Sequence, residues 1–252
     1  MKILLTNDDG IKGEGLWAMA RALVKETDFE VVISAPMRQQ SGMSHALSVL
    51  RSLEYMRVET STFEAWAIDG TPTDCVKIYL EEMNDGAKVD AVISGINDGS
   101  NLATDVLYSG TVGAALEGYL HKIPSLAVSL DIKSEITFDE AAEVTKKYFI
   151  EMMNDEEFFL HNINFPLKFR DGRPQFRSAR LGERDYINAF ARHTDENGRT
   201  FFKVGGKVYD IDCGEGTDIF AAEQGYIAVT PLHADTTDYE GVKILENRLK
   251  KI

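Results

Sequence analysis

Residues 1–15 read MKILLTNDDGIKGEG, a short apolar run followed by two adjacent carboxylates and three glycines. The run Ile3-Leu4-Leu5 has the length and composition of a buried β-strand. Asp8 and Asp9 follow at the predicted end of that strand, where two neighbouring negative charges are costly to bury unless a cation neutralises them. A hard divalent cation fits this role, because it takes oxygen ligands and completes its shell with water. The stretch therefore predicts a strand that ends at a metal site.

The residues that follow complete a strand–helix–strand unit. Residues 16–26 have the apolar spacing of an amphipathic helix, and residues 30–35 form a second apolar run. Such a unit predicts two parallel strands joined by a right-handed crossover. Further apolar runs predict buried strands at residues 91–94, 125–130 and 162–165. The fold class is therefore α/β, with a doubly wound and mostly parallel sheet.

Composition excludes several classes of function. The 252-residue chain has a net charge of −14, whereas nonspecific binding of a nucleic-acid polymer needs Lys and Arg to replace counterions. A single nucleotide is not excluded, because a local site can oppose the global charge. Cys75 and Cys213 have neither zinc-binding nor redox spacing, and we expect two buried thiols. We find no signal peptide or membrane span in the sequence, and we expect a soluble, cytoplasmic protein without membrane contacts.

Oxygen-bearing side chains follow three of the predicted strands. They are Asp8 with Asp9, then Ser41, then Asn97 with Asn101. The carboxyl ends of strands in a doubly wound sheet converge on one crevice, so these loops are expected to meet. Two carboxylates, a hydroxyl and an amide suit Mg²⁺ or Mn²⁺ and do not suit zinc.

Two helix starts contain hydroxyl side chains that cap a helix or bind an anion. Thr71, followed by Pro72 and Asp74, has the pattern of a capped helix that runs to about residue 83. Ser109-Gly110-Thr111 precedes a second helical pattern, where free backbone N–H groups form an anion site. A plain cap is the alternative there; we favour phosphate binding because this loop leaves a strand beside the first one.

Together, these parts predict a metal-assisted phosphoesterase. The cation would neutralise phosphate charge, and Asp8 or Asp9 would take a proton from water or attack directly. Non-catalytic alternatives stay open, namely a nucleotide- or metal-sensing module or a phosphoacceptor receiver domain. A dinucleotide-dependent dehydrogenase is disfavoured, because the spacing of Gly10, Gly13 and Gly15 is not the dinucleotide pattern.

The pattern changes near Pro166. Residues 167–252 contain short alternating runs, and Gly205-Gly206 between residues 201–204 and 207–211 predicts a β-hairpin. A strand at 225–231 and a basic helix at 240–252 follow. This region is too small and polar to bury a core alone. We therefore divide the chain into a catalytic core at 1–166 and an oligomerisation region at 167–252, which packs on the core or on another subunit.

Several long motifs, in order, resemble those of the SurE family of metal-dependent 5′/3′-nucleotidases. They are residues 3–11, Ala35-Pro36 with Ser41-Gly42, residues 70–76, 94–101 and 108–112, and Gly225-Tyr226 with residues 230–232. The resemblance covers nearly the whole chain. It implies a three-layer, Rossmann-like, mostly parallel sheet with a C-terminal β-hairpin and helix extension, exchanged between the subunits of a homodimer or homotetramer.

The resemblance also implies site roles and substrates. One divalent ion per subunit, Mg²⁺ or Mn²⁺, would be held by the residues that match the family's ligands, which are Asp8, Asp9, Ser41 and Asn97. The phosphate would contact Asn97, Ser109, Gly110 and Thr111, with Asn101 and His45 as further candidate substrate contacts. Nucleoside 5′- and 3′-monophosphates, and short polyphosphates, are the implied substrates. Asp98 and Ala103 depart from the family pattern on the substrate loop.

Overall fold

The computed structural model describes residues 1–155 and 158–250, and its centre is a nine-stranded, mostly parallel sheet. The strands are β1 (Lys2–Thr6), β2 (Glu30–Pro36), β3 (Tyr55–Arg57), β4 (Glu64–Ile68), β5 (Ala91–Asp98), β6 (Ser125–Leu130), β7 (Leu160–Phe165), β8 (Phe176–Ser178), β9 (Glu183–Ile187), β10 (Phe190–Thr194), β11 (Thr200–Val204), β12 (Lys207–Asp212) and β13 (Ile227–Pro231). The helices are α1 (Glu14–Val24), α2 (Pro72–Ile78), α3 (Gly110–Leu120), α4 (Phe138–Asn154), α5 (Asp218–Glu223) and α6 (Tyr239–Leu249). A π-helical turn (Tyr79–Met83) continues α2, and a 3₁₀ turn (Ala103–Leu107) precedes α3.

The order of strands across the sheet is β3-β4-β2-β1-β5-β6-β7-β13-β8. The six strands from β4 to β7 run parallel, while β3 and β13 are antiparallel to their neighbours β4 and β7. Leu5 pairs with Ile33 of β2 and with Ile93 of β5, so these three strands end at the same edge. The loops that follow β1, β2 and β5 therefore meet, as the α/β prediction requires.

Alternation along β1 sends its side chains to both faces of the sheet. Ile3 and Leu5 pack with α1 and α4 in the larger core, whereas Leu4 packs with residues of α2 and α3 on the opposite face. This double burial explains why β1 reads as a continuous apolar run and not as an alternating one. The predicted α/β class and its layers are confirmed.

The predicted helix starts are confirmed in detail. The Thr71 side chain accepts a hydrogen bond from the Asp74 amide, and the Asp74 carboxylate accepts one from the Thr71 amide, which completes a capping box. Ser109 caps α3 by accepting a hydrogen bond from the Val112 amide. The helix predicted to run to residue 83 does so as α2 and its π-helical turn.

The hairpin predicted around Gly205-Gly206 is wrong. In the structure β11 pairs with β10, and β12 pairs with β9, so the four strands form one long antiparallel arm. The arm turns at residues 195–199, where the Asp195 amide donates to the Arg199 carbonyl. Gly206 lies at an interruption of the arm with φ +97°, and a Cβ there would approach the Ile187 carbonyl oxygen to 2.6 Å. Gly206 therefore fits a close backbone approach and not a turn, whereas Gly205 has open space around it.

The rest of residues 167–252 divides between the sheet and an exposed tail. Strands β8 and β13 extend the central sheet beyond β7, so the boundary near Pro166 lies within one continuous sheet. Helix α6 contains no buried residue. Cys75 is buried as expected, but Cys213 is exposed just after the arm, where too few neighbours surround it. Within the described ranges, no helix is long and apolar enough to cross a bilayer.

Candidate active site

Asp8 is the most deeply placed carboxylate of the strand-end cluster. Its residue is 4% exposed, and its Oδ1 accepts a 2.7 Å hydrogen bond from the Thr111 hydroxyl. The Asp8 carbonyl oxygen accepts a hydrogen bond from the Gln40 amide at 2.7 Å. The contacts of this one residue join β1 to the loop that carries Ser41 and to the first turn of α3.

Burial raises the pKa of Asp8 to about 6, and the nearby charge of Asp9 adds to the rise. Hydrogen bonds from Thr111 act in the opposite direction. A carboxylate with this pKa is held at a site where negative charge is poorly solvated. Such a site favours a bound cation.

Asp9 lies beside Asp8 and is more open to solvent. Its Oδ2 accepts a 3.0 Å hydrogen bond from the Asp98 amide of β5, and its Oδ1 faces Gln39 Nε2 at 3.4 Å. Burial raises its pKa, the Asp98 amide lowers it, and the Asp98 charge raises it again. Asp98 therefore increases the negative charge beside Asp9.

Asn97 belongs to a strand and not to the loop in which the sequence placed it. Strand β5 continues through Asp98, and its pairing with β6 shifts register between Ser94 and Asn97. Gly95 lies in this irregular segment, and a Cβ there would approach the Val128 carbonyl oxygen to 2.3 Å. The Asn97 Nδ2 donates to the Gly99 carbonyl at 2.7 Å, which leaves its Oδ1 available to a cation.

Ser41 lies one residue after the Gln40 amide that is bonded to Asp8. Its side chain is exposed and makes no hydrogen bond within the described residues. The hydroxyl is therefore available as an oxygen ligand on a loop that is attached to Asp8 through Gln40.

The first turn of α3 closes over Asp8. Gly110 is buried, and a Cβ on it would lie 3.0 Å from the Asp8 Cβ and 3.2 Å from the Gln40 carbonyl oxygen. Only a residue without a side chain fits this approach. Ser109 is also buried, and Thr111 is fully buried against Asp8. The structure thus brings the first turn of α3, predicted to bind phosphate, to the carboxylate predicted to bind metal.

Asn101 and His45 are engaged with protein groups. The Asn101 Nδ2 donates to Ser129 at 2.8 Å, and its backbone carbonyl accepts from Asn162 and Asn164. The His45 Nε2 lies 2.7 Å from Glu117 Oε2. Their part in substrate binding stays a prediction.

The donor set fits a hard cation. Asp8, Asp9, Ser41 and Asn97 offer carboxylate, hydroxyl and amide oxygens, which Mg²⁺ and Mn²⁺ prefer. In residues 1–155 and 158–250, no cluster of three or more His, Cys, Asp or Glu side chains is arranged to hold a metal. The proposed site has only two carboxylates, and its other ligands are Ser and Asn oxygens, so it is not a cluster of this kind. Four protein ligands of this type suit an ion that keeps several water ligands.

Sequence reasoning missed several residues that shape the site. The sequence pattern places Asn162 and Asn164 only in a strand, yet their side chains hydrogen-bond the Asn101 backbone from β7. Glu117 was not singled out, although it is the one acid in the sequence of α3. An acid inside an otherwise apolar and glycine-rich helix was the available signal.

Comparison with known proteins identifies the family of this chain. The family model described as Survival protein SurE matches residues 3–188. A 5′-nucleotidase SurE from Caldanaerobacter subterraneus is 41% identical, with 97% of this chain and 96% of that protein covered. A 5′-nucleotidase SurE from Pelotomaculum thermopropionicum is 43% identical, with 100% and 95% covered. The crystal structure of the Sure protein from Aquifex aeolicus superposes with a TM-score of 0.81 at 35% identity, covering 98% of this chain and 100% of that one. This chain belongs to the SurE family.

Proposed function

We propose that this protein is a 5′-nucleotidase that hydrolyses nucleoside 5′-monophosphates with the help of one divalent cation, Mg²⁺ or Mn²⁺. One observation carries the proposal: the buried Asp8 carboxylate is hydrogen-bonded to Thr111 in the first turn of α3. This contact unites a predicted cation ligand with a helix N-terminus, where anions bind. The names of the two 5′-nucleotidase relatives support the same activity.

The residues have separable roles in this proposal. Asp8, Asp9, Ser41 and Asn97 would hold the cation, which when bound neutralises phosphate charge and orients water. Among the first-turn amides of α3, that of Val112 already donates to the Ser109 side chain, and those of Gly110 and Thr111 would bind phosphate oxygens.

One of the two aspartates would accept a proton from the attacking water. Asp8 is the candidate we favour, because it lies nearer the end of β1 and is the more deeply buried of the two. Once Asp8 has accepted the proton, the resulting hydroxide would attack phosphorus. The bond between phosphorus and the nucleoside oxygen would then break, and that oxygen would take up a proton from Asp8 or from water.

A phosphate-release assay tests the activity. We expect the wild-type protein to release phosphate from AMP or GMP with added Mn²⁺, and EDTA to abolish release. Asp8→Asn should lower the rate at least a hundredfold, whereas the exposed Asp28→Asn should not change it. Full turnover by the Asp8→Asn variant would contradict the mechanism. Nucleotide binding without any phosphate release would favour a sensing module instead. The same screen with 3′-nucleotides and short polyphosphate tests the wider substrate range.

The oligomer is part of the proposal. Helix α6 exposes Val242, Leu245 and Leu249, an apolar stripe that does not pack on the described part of its own chain. An exposed apolar face of this kind favours a partner subunit. Light scattering on the full chain should give a dimer or tetramer. Truncation before residue 238 should reduce the number of subunits in the oligomer. A monomeric full-length protein would contradict the exchange.

A further inference from the structure

Glu117 is a buried acid outside the proposed ligand set. It lies in the second half of α3 and is 3% exposed. A buried carboxylate is costly unless charged or polar groups compensate it. The groups that surround Glu117 therefore indicate what its charge does.

Three basic side chains from different parts of the chain face Glu117. Lys77 Nζ on α2 lies 3.1 Å from its Oε1, and His45 Nε2 lies 2.7 Å from its Oε2. His121, one turn further along the chain, has its Nδ1 3.5 Å from Oε1. Burial acts to raise the pKa of Glu117, but the hydrogen bonds from His45 and Lys77 outweigh it and the pKa is lowered. Glu117 is therefore an ionised hydrogen-bond acceptor. Its Oε1 faces Lys77 on α2, and its Oε2 faces His45 on the preceding loop.

His45 lies on the loop that carries Ser41, which we define as residues 40–48. One end of this loop is fixed where the Gln40 amide donates to the Asp8 carbonyl. The other side is fixed by Ser44, whose amide and hydroxyl donate to the carbonyls of Tyr108 and Leu107, and by His45. Ser41 lies between these two sets of anchors.

Helix α3 presents both contacts from one face. Gly113 and Glu117 are four residues apart and therefore lie one above the other on the helix surface. A Cβ on Gly113 would approach the Ser44 carbonyl oxygen to 2.2 Å, so the loop backbone lies directly on the helix at that point. One turn later, the Glu117 carboxylate contacts the next loop residue, His45, in a hydrogen bond with a charged acceptor.

We propose that Glu117 is a positioning residue of the active site, which acts through His45 to hold loop 40–48 so that the Ser41 hydroxyl stays beside Asp8. The inference rests on the proposed function for one point, the role of Ser41 as a cation ligand. Lys77 balances the charge of Glu117 and joins α2 to α3. His45 joins Glu117 to the loop that carries Ser41.

The variant His45→Ala tests this role without disturbing the core, because the His45 side chain is 29% exposed. The matched control is His121→Ala, which removes a second histidine from the same carboxylate but does not touch the loop. Metal-free protein is titrated with Mn²⁺ alone, and the affinity is measured by calorimetry well below the unfolding temperature. We expect His45→Ala and Glu117→Gln each to weaken Mn²⁺ binding by about tenfold, the lower end of the range for groups that orient metal ligands. His121→Ala should stay within about twofold of the wild type, on the same reasoning.

A double-variant cycle with Ser41→Ala separates positioning from general loss of structure. If His45 acts through Ser41, then adding His45→Ala to Ser41→Ala should weaken Mn²⁺ binding no further. Additive losses, an unchanged affinity in His45→Ala, or an equal loss in His121→Ala would each overturn the proposal.

AMP hydrolysis measured on the same samples keeps the two proposals apart. The Mn²⁺ pattern described above, in a protein that releases no phosphate, would support the positioning role and refute the nucleotidase. Full AMP hydrolysis together with unchanged Mn²⁺ affinity in His45→Ala would support the nucleotidase and refute the positioning role.

Discussion

The charge on Asp8 should destabilise the metal-free fold, and Asp8→Asn should remove this penalty. Asparagine has nearly the same shape and can still accept the hydrogen bond from Thr111, but it cannot ionise. The substitution therefore tests the electrostatic environment of the strand end separately from its packing.

The magnitude follows from the pKa of Asp8. Burial raises it to about 6, from 3.8 for an ordinary aspartate. Because the folded state holds this proton more tightly than the unfolded state, the stability it contributes is present below about pH 4 and is lost as the pH rises through about 6. At about 1.36 kcal/mol per pH unit, the loss at neutral pH is about 3 kcal/mol.

Urea denaturation in EDTA at pH 4, 5, 6 and 7, at one protein concentration, measures the effect. The free energy of unfolding of Asp8→Asn minus that of the wild type should increase by about 2.4 kcal/mol between pH 4 and pH 7, because the carboxyl of the unfolded chain is already more than half ionised at pH 4. Comparing the two proteins across pH cancels any constant effect of the amide. The exposed Asp28→Asn is the control, and its difference from the wild type should not change over the same range.

Adding Mn²⁺ should cancel most of this difference at pH 7. At a hundredfold excess over its Kd, a ligand that binds only the folded state stabilises it by about 2.7 kcal/mol. The wild type should gain this amount at pH 7, and Asp8→Asn should gain much less. A difference between the two proteins that is constant from pH 4 to pH 7 in EDTA would refute the reasoning.

Three further substitutions probe contacts of the site and of the sheet. Thr111→Val removes the hydroxyl that donates to Asp8 and should cost about 1–3 kcal/mol of unfolding free energy in urea, whereas Thr111→Ser should retain most of it. Gly110→Ala would place a Cβ 3.0 Å from the Asp8 Cβ, so phosphate release should fall by at least about tenfold while circular dichroism shows a folded protein. Gly15→Ala would place a Cβ 2.0 Å from a carbonyl oxygen of β5 and should lower the unfolding free energy by about 1–3 kcal/mol or more. The control is Gly205→Ala, which has open space around it and should change the unfolding free energy by no more than about 0.5 kcal/mol.

The parts of the fold that could be predicted from the sequence are those set by local chemistry. The run before Asp8 is apolar because β1 is buried on both faces, and periodicity detects such strands directly. Thr71 and Ser109 mark helix starts because capping involves residues only three apart. Convergence of the strand-end loops followed from parallel topology, which a strand–helix–strand pattern implies.

The parts that could not be predicted depend on distant partners. Gly205-Gly206 has the composition of a hairpin turn, but the conformation needed at Gly206 is decided by the Ile187 backbone on the opposite strand. Asn97 remains in a strand because β6 continues to pair with it after a register shift. Glu117 looks like a surface acid until Lys77 and His45 are brought to it from residues 40 and 72 positions away.

The edges of the central sheet bear on how the protein behaves at high concentration. Its two outermost strands, β3 and β8, contain only three residues each. Long unpaired edges invite strands from other molecules, and short edges bearing charge discourage them. The exposed Arg57 on β3 and the Arg177 on β8 provide that charge in a protein whose other surface charges are mainly negative. A nine-stranded sheet can therefore be built without creating a long template for aggregation.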